Sequence, residues 1–197
     1  MTMAMTTRKI HRAIGTTVAA AVGLALLSGC GSDSAALPEG WGKLDTKSLS
    51  VGYPGNQGYK EQPEAELAKG NAAVALKEES GLRTGMVSVQ LDFATGVDDA
   101  GEAAAAAGAG IGVGATRKAT QEIRLTGPES ARDARRIDYE FTSNGEQRTP
   151  ADGTRMTGVV VAGVDSKKVP FAVRINAVKG TLSAKDLDAF VDSITVK

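Results

Sequence analysis

Apolar and polar residues alternate with a period of two in several segments of the chain, which is the pattern of strands with one buried face. The first such segment, residues 49–53, ends at Pro54-Gly55. Residues 159–164 are continuously apolar instead, which predicts a central strand covered on both faces. The other predicted strands are centred on residues 74–76, 87–93, 123–125, 137–141 and 171–175. Seven short strands with turn residues between them predict a protein built around a sheet.

A helical period appears near the C-terminus. Four apolar residues at i, i+3, i+4 and i+7 would line one face of a helix: Leu187, Phe190, Val191 and Ile194. Ser183, followed three residues later by Asp186, forms a capping-box pattern that predicts where this helix begins. That apolar face is expected to pack on the sheet.

Two further helices are predicted earlier in the chain. One begins near Asp98-Asp99, whose charges suit a helix N-terminus, and continues through the alanines of residues 103–107. The glycines from residue 108 to 114 weaken it. A short helix at residues 63–69 is predicted from Pro63 at its first position and Gly70 after its last.

The order of these elements indicates the fold class. Strands follow one another with hairpin-like connections such as residues 144–154, and helices interrupt the run only two or three times. This order favours an α+β fold with a largely antiparallel sheet over an alternating βαβ fold.

The first thirty residues have the pattern of an export signal. Arg8, Lys9, His11 and Arg12 make a positive segment, and residues 13–27 are apolar but too short for a comfortable membrane span. The segment ends in Leu27-Ser28-Gly29-Cys30, the bacterial lipobox pattern. Small side chains at Ser28 and Gly29 would let the signal peptidase reach the bond before Cys30.

Cys30 is the only cysteine of the chain, and its thiol can carry a diacylglycerol as a thioether. Two acyl chains give a stable anchor, since each buried methylene contributes about 0.8 kcal/mol. We therefore expect a signal peptide at residues 1–29, a lipidated tether at residues 30–40 and one α+β domain at residues 41–197. The domain would be held at the outer face of the cell membrane.

Charge argues against a nucleic-acid partner. The chain has 23 basic and 23 acidic residues, but Arg8, Lys9 and Arg12 belong to the leader, which has no acidic residue. The exported part is therefore mildly acidic, whereas proteins that neutralise phosphates are basic.

The exported part resembles the PsbP/Mog1-like family, which includes actinobacterial cell-envelope lipoproteins. The resemblance is carried by Trp41, a strand ending in Tyr53-Pro54, a mid-chain helix, a run of antiparallel strands and the closing Leu-x-x-Phe-Val-x-Ser-Ile of residues 187–194. It implies a central antiparallel sheet with helices packed on both faces, an α/β/α sandwich. It also implies a binding or scaffolding role and no enzymatic activity.

The exported part lacks the residues of common catalytic and metal sites. His11, the only histidine, leaves with the leader, and Cys30 is consumed by the anchor. No catalytic residue, metal site or cofactor is therefore predicted. The acidic pairs Glu78-Glu79 and Asp98-Asp99 are interpreted as solvated surface, as is the set Asp92, Asp98, Asp99 and Glu102, which lacks the spacing of a calcium loop.

Two other patterns have a plain structural interpretation beside a functional one. Gly110-x-Gly112-x-x-Ala115 fits a loose dinucleotide motif but follows a helix where that motif needs a strand, so close backbone packing or a flexible loop is favoured. A basic set could face anionic lipid head groups, although intervening acids favour a solvated sheet edge. Its members are Arg117, Lys118, Arg124, Arg132, Arg135 and Arg136.

Three functions remain open from the sequence. The first is a non-enzymatic module that binds another envelope protein. The second is a carrier or sensor of a lipid or other apolar small molecule, with the small residues of 103–115 leaving room for a cavity. The third is an enzyme that uses carboxylates alone.

Overall fold

The structure, a computed structural model, describes residues 37–112 and 114–197. The predicted signal peptide, the lipobox residues Leu27, Ser28 and Gly29, the lipidation site Cys30 and most of the tether lie outside these residues. In chain order the described elements are β1 (Gly42–Asp45), β2 (Leu49–Tyr53), β3 (Tyr59–Glu61), β4 (Asn71–Glu79), β5 (Leu82–Leu91), α1 (Ala100–Ala109), β6 (Thr116–Arg124), β7 (Asp133–Thr142), β8 (Arg155–Val164), β9 (Pro170–Val178), α2 (Ala184–Asp192) and β10 (Thr195–Val196).

The strands form two antiparallel sheets. The large sheet has the order β3-β4-β5-β9-β8-β7-β6, and the small sheet has the order β1-β2-β10. Seven of these strands are the ones predicted from the sequence, and the loop between β7 and β8 is the predicted hairpin connection. The prediction of an α+β fold with a largely antiparallel sheet is confirmed.

The two faces of the large sheet are covered differently. Helix α1 packs on one face, where Ala103 and Ala107 meet Ile137 and Val160. The opposite face is covered by α2 and the small sheet. Its core holds the larger side chains Leu44, Leu49, Val51, Val87, Val159, Val161, Phe171, Ile175, Phe190 and Ile194. Strand β8 is buried on both sides, as its continuous apolar run predicts.

Helix α2 begins as predicted. Ser183 Oγ accepts from the Asp186 backbone N–H at 3.1 Å, and the Asp186 carboxylate accepts from the Ser183 N–H at 2.9 Å. The helix ends at Asp192, so buried Ile194 lies beyond it and not on its face. Ser193 Oγ donates to Phe190 O at 2.6 Å and accepts from Gly52 N at 2.9 Å, which joins the end of α2 to β2.

Two expectations about local structure are wrong or incomplete. The helix predicted at residues 63–69 is only a 3-10 turn at Glu64–Glu66, because Leu67 is already extended at φ −69° and ψ 131°. Strands β1, β3 and β10 were not predicted, since they are two to four residues long. At the end of the predicted tether, Gly40 O accepts from Asn56 N at 2.9 Å, so the tether's last residue contacts the folded domain.

Aromatic rings lie over strand glycines at several positions in the sheets. A Cβ at Gly42 would lie 2.3 Å from Tyr53 Cζ, and one at Gly158 would lie 2.3 Å from Tyr139 Cζ. Both pairs are direct cross-strand neighbours. The missing side chain of each glycine therefore makes the space that the ring fills.

Tyr59 gives a prediction about a buried hydroxyl. Its ring lies over Gly85 and 5.8 Å from the Phe190 ring, and its Oη has no hydrogen-bond partner among the described residues. Burial accordingly raises the pKa of Tyr59. We expect Tyr59→Phe to raise the free energy of unfolding by about 1 kcal/mol, because an unsatisfied buried group is removed.

Urea denaturation measures this change. Tyr139→Phe is the matched control, since the Tyr139 hydroxyl does have a partner, Asn176, and its loss should lower the same free energy by about 1 kcal/mol. A loss of stability in Tyr59→Phe would contradict the assignment of an unpaired hydroxyl.

Candidate ligand-binding groove

Two arginines bind the C-terminal end of α1. Arg117 Nη2 donates to Gly108 O at 2.8 Å, and Arg174 Nη1 donates to Gly110 O at 3.1 Å. The guanidinium charges suit this end of the helix, which carries partial negative charge. A Cβ at Gly108 would lie 2.8 Å from Arg117 Nη2, and one at Gly110 would lie 3.2 Å from Arg174 Nη2. Gly108 and Gly110 are thus positions where the arginine side chains pack closely against the helix backbone.

Beyond the end of α1, the same face of the large sheet remains partly open. Five residues that are cross-strand neighbours form a row across β4, β5, β9, β8 and β7: Leu76, Met86, Asn176, Gly158 and Tyr139. Paired residues in antiparallel strands share a face. Tyr139 belongs to the core on the α1 side, so the whole row lies on that side.

Tyr139 stands at the β7 end of this row, and its side chain reaches back over the row. Its ring crosses over Gly158, and its hydroxyl donates to Asn176 Oδ1 at 2.5 Å. The ring also stacks on Phe141, with centroids 5.7 Å apart and planes inclined by 26°. Burial raises the pKa of Tyr139, and the positive charge of Arg174 offsets part of that rise. The Tyr139 side chain is therefore held rigidly in place.

The side chains of Leu76, Met86, Asn176 and Tyr139 form the floor of a groove with a volume of about 480 Å3, and Gly158 lies beneath the Tyr139 ring. One wall is the loop after α1, with Gly112, Gly114 and Ala115, and the other is the loop between β7 and β8. Met156 and Phe141 continue the floor at one end, and Arg174 stands at the other end. Small-molecule sites have volumes of about 300–1,000 Å3, and this groove falls within that range.

Most polar groups that the sequence singled out are not in the groove. Asp99 caps α1 by accepting from the Glu102 N–H at 2.9 Å, a hydrogen bond that lowers the pKa of Asp99. Glu102 in turn accepts from the Asp98 N–H at 2.8 Å. Glu78 pairs with Arg148 at 2.8 Å. Within residues 37–112 and 114–197 no group of acidic, histidine or cysteine side chains is arranged to hold a metal ion.

The basic set is largely ion-paired, which supports the interpretation as a solvated surface. Arg135 pairs with Glu122 at 2.7 Å, and Arg136 lies between Asp138 at 2.9 Å and Asp188 at 2.6 Å. Arg124, Arg132 and Lys118 also have carboxylate partners. Arg117 differs, since its partner is the end of α1.

The sequence places the small residues of 103–115 beside a possible cavity but does not predict the groove's floor. Gly112 and Gly114 do line it, and a Cβ at either would meet no atom within 4 Å. Met86, Asn176 and Gly158 gave no signal, because each looks like an ordinary strand residue. Arg174 alternates with apolar residues, a pattern that predicts a strand and gives no sign of a binding site.

Comparison with known proteins assigns no family. No family model and no curated protein matches the chain. A crystal structure from Bacteroides thetaiotaomicron VPI-5482 is similar over 76% of this chain, at 13% sequence identity and a TM-score of 0.44. The chain spans 45% of the length of that protein. Among the described residues, neither helix has the length and apolar character needed to cross a membrane.

Proposed function

We propose that this chain is an exported, lipid-anchored, non-enzymatic binding protein of the cell envelope, and that the groove takes an apolar small molecule. The groove of about 480 Å3 is the observation that carries the proposal. Its floor offers the side chains of Leu76, Met86 and Met156 beside two aromatic rings. Apolar lining with a few placed polar groups is typical of sites that bind small apolar ligands.

The lipobox supports the proposed location at the cell membrane. Leu27-Ser28-Gly29-Cys30 follows a positive segment and an apolar one, so we propose that the diacylglyceryl group on Cys30 holds the domain at the outer face of the cell membrane. We also propose that the two-faced sheet, with α1 on one side and α2 on the other, is the α/β/α sandwich of the PsbP/Mog1-like family. A binding role agrees with that resemblance.

The groove's own residues favour binding over catalysis. The side chains that line it include no aspartate, glutamate, histidine or cysteine. The carboxylate-only enzyme left open by the sequence would need two acids facing one cleft. Glu78 and Glu79 lie on one strand and pair with basic neighbours, and Asp99 caps a helix.

A module for an envelope protein is the second candidate, and the open edge of β6 favours it. This nine-residue strand pairs only with β7 among the described residues, and an exposed edge can accept a strand from a partner. However, β6 carries charged side chains at Arg117, Lys118, Glu122 and Arg124, which protect edges against pairing. The groove is therefore the better-supported site.

Native mass spectrometry of the lipidated protein, gently extracted from its own membranes, tests the proposal. We expect the mass of a diacylglyceryl group on Cys30 and, in addition, a discrete small-molecule adduct. Met86→Trp should abolish the adduct, because a larger side chain on the floor fills the groove. Leu82→Trp is the matched control, since Leu82 is 40% exposed outside the groove.

Other results would contradict the proposal. An adduct that persists in Met86→Trp would place the ligand elsewhere on the chain. A second polypeptide in fixed stoichiometry, with no small-molecule adduct, would favour the interaction module.

A further inference from the structure

Arg174 differs from most arginines of the described chain. Seven others pair with a carboxylate: Arg83, Arg124, Arg132, Arg135, Arg136, Arg148 and Arg155. Within residues 37–112 and 114–197, no carboxylate oxygen lies within 4.0 Å of Arg174, and its hydrogen bond goes to Gly110 O at 3.1 Å. The guanidinium also lies beside the Tyr139 hydroxyl, whose pKa is raised by burial and partly lowered again by this charge, but it has five N–H donors, so some of them remain for another acceptor.

Arg174 places this positive charge at one end of the groove. Its cross-strand neighbours Ser88 and Val160 are buried, and Arg174 lines both the groove and a second cavity of about 380 Å3. A charged side chain in a partly desolvated site is stabilised by a partner of opposite charge. A guanidinium presents parallel N–H groups that match the two oxygens of a carboxylate.

The groove extends from this charge along the strands. Arg174 is followed at the next position of the same face by Asn176, in the row of Tyr139, and then by the row of Met156 and Phe141. Four residues of antiparallel strand span about 14 Å. A polar head at Arg174 would therefore be continued by an apolar surface that runs along the strands. The amide nitrogen of Asn176 donates no hydrogen bond to the described residues and can donate to the same head group.

We propose that the ligand of the groove is a single-chain amphiphile with a carboxylate head, such as a long-chain fatty acid. The carboxylate accepts hydrogen bonds from the Arg174 guanidinium, and the chain lies over Met86, Tyr139 and Phe141. This inference rests on the proposed function, since it names the ligand class of the same groove.

The test uses the full chain in isolated membranes. A photoactivatable palmitic acid with a terminal alkyne labels the protein, and unlabelled palmitate or palmityl alcohol competes for the site. We expect label on peptides that contain Met86 or Met156. Palmitate should compete at about tenfold lower concentration than the alcohol, because a hydrogen-bonded charge pair distinguishes the two heads.

Variants of the arginine locate the preference. Arg174→Gln should remove the advantage of palmitate over the alcohol, whereas Arg174→Lys should keep part of it. Arg155→Gln is the control, since Arg155 pairs with Glu140 at 3.2 Å and does not line the groove. The comparison of palmitate with palmityl alcohol uses the unaltered chain, so it does not depend on whether any variant folds.

Two failures can be told apart. Equal competition by acid and alcohol, with label still on the groove peptides, would overturn the carboxylate head and leave the apolar groove in place. Label that is absent from the groove peptides, or that neither competitor reduces, would overturn the groove as a binding site as well.

Discussion

Phe190→Ala is expected to lower the free energy of unfolding by about 4 kcal/mol, the usual cost of emptying a buried phenylalanine site. The Phe190 side chain is fully buried, and its ring lies 5.1 Å from the ring of Trp41 and 5.8 Å from that of Tyr59. The nine-residue helix α2 is too short to be stable alone, so its structure depends on this packing. The substitution should therefore loosen α2 as well as open a cavity.

Urea denaturation of the full chain measures the change. Trp41 is the only tryptophan and contacts Phe190, so its fluorescence reports on this part of the core, and circular dichroism reports on the whole domain. Leu82→Ala is the control, with an expected change under about 0.5 kcal/mol at an exposed position. A loss below about 1.5 kcal/mol for Phe190→Ala would mean that α2 contributes little to the core.

The elements that the sequence predicted well share one property: their signals are local and repeated. In strands of five to ten residues the alternation of apolar and polar residues repeats several times. The sequence of α2 contains both a capping box and an apolar face. The two partners of β2 in the small sheet were not predicted, because Gly42–Asp45 has one buried apolar residue, Leu44, and β10 has only two residues. Such strands are held by their partners and by the core beneath them.

The helix predicted at residues 63–69 shows the opposite error. Pro63 and Gly70 fit the ends of a helix, but Pro63 is extended, with ψ at 146°, and the turn Glu64–Glu66 buries none of its residues. A segment without an apolar face has nothing to hold it in a helix. End signals alone were therefore insufficient there.

The groove could not be predicted because its floor is assembled across strands. Leu76, Met86, Asn176 and Tyr139 are neighbours only in the observed register, and a shift of one residue would turn each to the other face. The residues themselves are common in strands. The sequence did indicate the wall, since the small side chains after α1 leave open space.

Gly158→Ala is expected to disturb both stability and the groove. The new Cβ would lie 2.3 Å from Tyr139 Cζ and 2.7 Å from Asn176 Oδ1. The Tyr139 side chain cannot retreat easily, because the residue is 3% exposed and its ring is stacked on Phe141. Overpacking and the loss of the Tyr139–Asn176 hydrogen bond together predict a loss of about 3 kcal/mol in the free energy of unfolding.

The same displacement should weaken binding, since the Tyr139 ring is part of the floor. Gly112→Ala is the matched control, because it adds the same methyl group to a residue lining the groove where no atom lies within 4 Å. The free energy of unfolding of Gly112→Ala should equal that of the unaltered chain. Tyr139→Leu removes the ring that the alanine would strike, so the double variant Gly158→Ala/Tyr139→Leu should be more stable than the two single changes predict in sum. Additive losses in urea denaturation would show that the clash with Tyr139 is not the cause, and the ring would then not depend on the glycine beneath it.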